Sequence, residues 1–232
     1  MPLLEIYEIK NMLTARKINI TGCFHVGAHD CEELDAWYNN LGIKPEDVLW
    51  VDALPAKVSN ASSRGIPNVF HSVITDKDDE YVGLNVANST EYSSILELGT
   101  QMIECPEVVF IDKVIQKSIT IDTFFERNNV DASKYDFWKL NIRGGELLAL
   151  KGATKSIKNA KVIYLEVNSK ELYKNGALIT EIDEYLRRFN FKRMLTTMTI
   201  HKRGDAIYVL DNWRGQRYLV PTPEVPSTED RC

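Results

Sequence analysis

The sequence predicts a single α/β domain built on a mostly parallel sheet. Three observations predict it. Residues 21–54 read as strand, helix, strand; strand and helix patterns then alternate along the chain; and the last two apolar runs face each other across a tight turn. At 232 residues the chain is long enough to bury a substantial core, and its 44% hydrophobic and 26% charged content are those of an ordinary globular protein.

The first β-α-β unit organises the rest. Cys23–Val26 is a short apolar run that ends at Gly27-Ala28. Leu34, Trp37, Tyr38 and Leu41 recur at the spacing of an amphipathic helix. Asp30 and Glu33 have the spacing of a capping box at its start. Val48–Val51 is a second strand that ends on Asp52. Open α/β sheets bind ligands at such strand ends, and a carboxylate there takes ribose hydroxyls. The turn holds one glycine rather than the three of a dinucleotide fingerprint. Asp30, Glu32 and Glu33 crowd the place where a pyrophosphate would sit and would repel it. A cofactor with a sulfonium and an ammonium, S-adenosylmethionine, suits that turn; NAD does not.

The remaining elements follow in order. Residues 1–20 are a lead-in with a short helix over 3–16. Pro55, in a first-turn position, opens a helix over 56–64 that stops at Gly65. Val69–Ile74 is a third strand and Tyr81–Val86 a further one. Asn88–Gly99 is a loop rich in hydroxyls, and Val108–Ile111 an edge strand. Residues 118–122 lead into a helix over 123–128. Phe137–Leu140 is a buried strand followed by a loop from Asn141 and a helix from Glu146. Lys161–Leu165 is another strand with Glu166 at its tip. A helix spans 177–189, and Phe191–Ile200 with Ala206–Leu210 form an antiparallel hairpin. The principal domain is expected over 21–220. Residues 221–232, PTPEVPSTEDRC, are expected to be disordered.

Composition excludes several classes. A net charge of −5 and the lack of a basic stripe argue against a nucleic-acid partner. No apolar run reaches the length of a membrane span. The opening MPLLEIYEIKNML has no signal-peptide pattern, and the four cysteines form no C-x-x-C pair. A cytoplasmic protein with thiols and no metal site is the expectation.

The stretches GAHDCEELDAWY, VLWVDALP, NSTEYSSIL, SITIDTFF, YDFWKLNIRGGELLALKGA and VIYLEVN, in that order and spacing, resemble the FkbM family of S-adenosylmethionine-dependent methyltransferases. The resemblance implies a Rossmann-like class I methyltransferase fold, seven strands with the last antiparallel. It implies that Gly27, Ala28 and His29 line the methionine end of the cofactor. Asp52 would hold the ribose, with Ala53 and Leu54 beside it. Val73 and Ile74 would flank the adenine, and the loop from Asn141 would face the sulfonium and the acceptor. It implies O-methylation of a small-molecule or glycan acceptor, most simply a sugar hydroxyl. Three departures stand out, the first being His25 where many family members carry an Asp. The family's Lys-Leu-Asp is Lys139-Leu140-Asn141 here, and Arg143 replaces a Gln or Glu. An amide is no general base, so a second reading is a weakened relative that binds without turnover. The candidate catalytic residues are His29, Glu166 and Asn141. His25 and Glu146 are weighed as a core histidine and a helix-start acid.

Overall fold

The computed structural model describes residues 3–34 and 40–211. Its main sheet has seven strands: β1 (Cys23–Val26), β2 (Val48–Asp52), β3 (Val69–His71), β7 (Phe137–Leu140), β8 (Val162–Asn168), β9 (Phe191–Met198) and β10 (Arg203–Leu210). Their spatial order is β3-β2-β1-β7-β8-β10-β9. The pairs from β3 to β8 are parallel, and β10 runs antiparallel to both β8 and β9. Strands β1, β2, β7 and β8 are buried along their whole length, which is why they read as unbroken apolar runs.

One exception in those runs is Lys139, in the middle of β7 and only 2% exposed. A buried ammonium needs a partner, and Lys139 is ion-paired with Glu33.

Helices cover both faces. On one side α4 (Ile121–Arg127), α5 (Glu146–Lys151) and α6 (Ile179–Arg187) close a core around Phe24, Phe124, Phe125 and Trp138. On the other, α1 (Ile6–Ala15) places Ile9 and Leu13 against Cys23, Trp50, Tyr164 and Val209. The helix α2 (Pro55–Ser63) begins at proline as expected and buries Ala61.

Several expectations are corrected. The run Val69–Ile74 is not one strand. It breaks at Ser72, whose amide donates to the Asp52 carbonyl at 3.0 Å. Beyond the break β4 (Val73–Ile74) joins a second sheet of order β4-β6-β5, with β5 (Tyr81–Ala87) and β6 (Phe110–Ile119). The edge strand read at 108–111 is thus the start of the long central strand of that sheet. Between them, α3 (Gln101–Glu104) is one turn long. The helix read at 123–128 begins earlier, at Ile121, because Thr120 Oγ1 caps it by accepting the Thr123 amide at 3.1 Å. The helix expected over 34–41 falls largely on residues outside the described ones, as does the tail 221–232.

The helix that Asp30 and Glu33 are expected to cap lies largely outside the described residues, and among the described residues their carboxylates have other partners. Asp30 accepts from Lys57 Nζ at 2.6 Å and Asn60 Nδ2 at 3.2 Å, while Glu33 is taken by Lys139. Both carboxylates are claimed by side chains distant in sequence, which local spacing does not reveal.

Candidate active site

The carboxyl ends of β1, β2 and β7 open into a cleft of about 840 Å³. It is bordered by Gly27–His29, Asp52–Leu54, Ser72–Ile74 and Asn141–Arg143 among others. Every residue that the resemblance carried to the cofactor therefore lies on one cavity.

Gly27 sets the floor. Its φ is +80°, and a Cβ there would collide with the Asn141 carbonyl oxygen, so the turn after β1 and the loop after β7 touch only through glycine. The Gly27 and Ala28 amides donate to the Val51 carbonyl at 2.9 and 3.1 Å. The Asn141 amide donates to Val26 at 3.0 Å. Three strand ends are thus tied together at one point.

Asp52, 8% exposed, faces the same space. Its Oδ2 accepts the His29 amide at 2.7 Å and its Oδ1 the Leu54 amide at 2.8 Å. Burial pushes its pKa up, and those two amides oppose the shift. Each oxygen keeps a second lone pair for a ligand hydroxyl. The Ala53 carbonyl is held from two sides, by Gln116 Nε2 at 2.9 Å and His71 Nε2 at 3.1 Å.

His29 has φ +48° and a half-buried ring. Its Nδ1 meets Glu32 Oε1 at 2.7 Å and its Nε2 meets Thr90 Oγ1 at 3.0 Å. The hydrogen bond with Glu32 raises its pKa, against burial. His29, Asp30 and Glu32 bring ligand atoms within 4.8 Å of one another, a grouping the sequence reading did not single out. Lys57 and the imidazole already occupy those carboxylates.

Glu166 is a correction. It is not at a strand tip, because β8 continues to Asn168. Its carboxylate is buried and ion-paired with Arg143, and it does not border the cleft. Arg143 explains this. Its Nε donates to the Glu91 carbonyl at 2.5 Å, and its guanidinium stacks on the Tyr92 ring at 5.0 Å. The cation is therefore turned to Glu166 and neutralised there. Ser94, a loop hydroxyl in the sequence reading, holds the Arg143 carbonyl at 2.8 Å.

Glu146 is also internal. It accepts the Ile142 and Gly144 amides at 2.7 and 3.0 Å and shapes the loop after β7. Burial, with Glu166 nearby, pushes its pKa up to about 8. His25 is a core histidine. It packs on Trp50 with ring centroids 5.0 Å apart, and burial holds its pKa down at about 3. Asn141 borders the cleft, with its Oδ1 buried and lacking a hydrogen-bond partner among the described residues.

A parallel sheet with one antiparallel strand near its end, an acid at the tip of β2 and a glycine turn after β1 define a Rossmann-like class I methyltransferase. Residues 25–193 match the methyltransferase FkbM domain, and the chain belongs to that family. It is an S-adenosylmethionine-dependent methyltransferase. No curated protein matches the chain. Among solved structures it is similar to M. capricolum TrmK in complex with S-adenosyl-homocysteine, at 9% identity over 91% of this chain and 70% of that one, with a TM-score of 0.44. It is also similar to magnesium protoporphyrin IX methyltransferase (ChlM) from Synechocystis PCC 6803, at 11% identity, 88% and 77% coverage and a TM-score of 0.43. A third is the methyltransferase domain of bacterial CtHen1-CN, at 9% identity, 88% and 97% coverage and a TM-score of 0.46.

The residues present fit the cofactor. The buried carboxylate of Asp52 has acceptor capacity left for ribose hydroxyls, and the turn that would meet a pyrophosphate is lined by Glu32 and Glu33 instead.

Proposed function

We propose that this chain methylates oxygen, at a hydroxyl of a sugar or glycan, with His29 as the base. One observation carries the reading: the chain of contacts Glu32–His29–Thr90 lies on the cleft wall, and the His29 amide is bonded to the same Asp52 that would take the ribose. Base and cofactor anchor are therefore coupled through one short turn.

S-adenosylmethionine, when bound, supplies an electrophilic methyl carbon. The chain's own residues do the rest. Asp52 would hold the ribose, flanked by Ala53 and Leu54. Gly27 and Ala28 would border the methionine end, and Val73 and Ile74 the adenine. Glu32 accepts from Nδ1–H of His29, which fixes the tautomer that leaves Nε2 as the acceptor. Nε2 would then take the acceptor's proton, where Thr90 Oγ1 now donates. Asn141 offers an amide for positioning rather than a base. Glu146 and Glu166, the remaining acids near the β7 loop, are committed to Ile142, Gly144 and Arg143.

An acidic wall and a net charge of −5 favour a neutral small molecule or glycan over nucleic acid as partner. We assign the catalytic unit to residues 21–220, preceded by a lead-in over 1–20 whose described part packs upon it, and the compartment to the cytoplasm, in keeping with the buried thiols of Cys23 and Cys31. No helix among the described residues is long and apolar enough to cross a membrane.

The test is transfer of a labelled methyl group to a panel of sugars, with His29→Gln beside wild type. The variant is expected to lose about 10²–10⁴ in kcat while S-adenosylmethionine affinity holds. A His29→Gln enzyme as fast as wild type would remove His29 from the mechanism. The rival, a binding protein without turnover, rests on Asn141. It would gain if wild type were inert and Asn141→Asp active.

A further inference from the structure

The amino end of the chain precedes the family match, which begins at His25, yet it helps to form the cleft. Leu3, Leu4, Glu5 and Ile6 border the same cavity as Gly27–His29 and Asn141–Arg143. One carboxylate holds them there. Asp205, near the start of β10 and 7% exposed, accepts the Leu3 amide at 2.5 Å and the Leu4 amide at 3.4 Å. The same Oδ2 accepts the Tyr164 hydroxyl at 2.5 Å. Asp205 pairs in register with Glu166 on β8, toward the carboxyl ends of the parallel strands where the cleft opens.

The contact continues beneath the cleft. The Lys139 ammonium lies over the Tyr164 ring at 5.3 Å and is ion-paired with Glu33. Glu33 also borders the cavity. The amino segment and the acidic turn are thus two walls of one cleft, joined from below through Asp205, Tyr164 and Lys139. Leu4, Ile9 and Leu13 pack into the core and anchor the segment's other side, so only its first residues depend on Asp205.

We propose that Asp205 is a positioning residue, latching residues 3–6 onto the end of the sheet so that this segment forms the wall that closes over bound cofactor. The inference rests on the S-adenosylmethionine reading of the cleft. A charge-assisted hydrogen bond to a buried carboxylate is strong enough to hold such a segment against the sheet.

The test uses the full chain and S-adenosylhomocysteine as the probe, with affinity from calorimetry and amide exchange followed by mass spectrometry. In wild type the ligand is expected to slow exchange in the peptide covering residues 3–9 by about fivefold or more. Asp205→Ala should weaken binding by about tenfold and abolish that slowing, whereas Asp205→Asn, whose amide oxygen still accepts from Leu3, should stay within about threefold of wild type. Leu3→Pro deletes the nearer amide donor while the Tyr164 hydroxyl keeps its acceptor, and should weaken binding and remove the slowing in the same direction as Asp205→Ala; if Asp205→Ala does not fold, Leu3→Pro decides alone. Affinities for Leu3→Pro and Asp205→Ala that match wild type, or a peptide that exchanges equally with and without ligand, overturn the latch and leave the cofactor reading standing. Wild-type protein that binds no S-adenosylhomocysteine overturns both.

Discussion

Asp52 does two jobs with one carboxylate. It fixes the backbone of its own turn through Leu54 and that of the neighbouring turn through His29, and in the proposed function it would offer what is left to the ribose. Asp52→Ala is expected to abolish saturable S-adenosylmethionine binding in calorimetry. Asp52→Asn, which keeps one acceptor oxygen, should weaken it by about 10-fold or more. His29 adds a pH signature. Because Glu32 raises its pKa, methyl transfer should rise with pH through a midpoint above the ordinary histidine value, and Glu32→Gln should move that midpoint down. The stability contribution of the pair runs the other way: it is fully present below the unfolded pKa of about 6.5 and is lost as pH rises through the folded one. Glu33 behaves as a buried acid. Burial alone would raise its pKa, but the Lys139 ammonium outweighs it and brings the value to about 2. Its contribution is present above the ordinary glutamate range and fades as pH falls toward 2. Glu33→Gln removes a counter-charge from the buried Lys139 ammonium, and urea unfolding should show a clear loss of stability.

At the scale of elements, the site is made where the turn after β1 presses on the loop after β7. Gly27→Ala should strain both, because the residue sits at φ +80° against the Asn141 carbonyl. A loss of about 1–3 kcal/mol in unfolding and of cofactor binding is expected. Strands β1, β2, β7 and β8 were legible in the sequence because both of their faces are buried, so they are apolar apart from a few paired or core polar residues such as Lys139, Glu166 and His25. Strand β6 was not, because Ile111 and Ile115 are exposed while alternate positions carry Lys113 and Lys117. Its pattern is that of a sheet face open to water, which an apolar-run reading passes over. Asp52, Gly27 and His29 could be placed from local sequence alone, since each lies within three residues of a strand end. Glu166 could not. Its fate is decided by Arg143, which a positive φ of 53° and the Ser94 hydroxyl turn toward it, and no spacing rule carries that information.

The whole molecule divides its labour across the sheet. One face is stabilised by an aromatic cluster: Phe24 lies 4.8 Å from Phe125 and 5.5 Å from Trp138, and Phe124 packs edge-on to Phe70 at 5.6 Å. Phe124→Ala is expected to cost about 3–5 kcal/mol in urea unfolding with little change in cofactor affinity, since none of these rings borders the cleft. The other face carries α1 and the buried polar contacts that run from Asp205 to Glu33. Cys31 lies on that second side, its amide bonded to Ala28 at 2.8 Å and its thiol pushed up to about 12 by burial. The nucleophile in alkylation is the thiolate, so Cys31 is silent while the turn stays shut. In a Cys232→Ser background, its labelling by an alkylating reagent therefore becomes a clock for how often the glycine turn springs open, and a bound cofactor should slow that clock without a single catalytic event being counted.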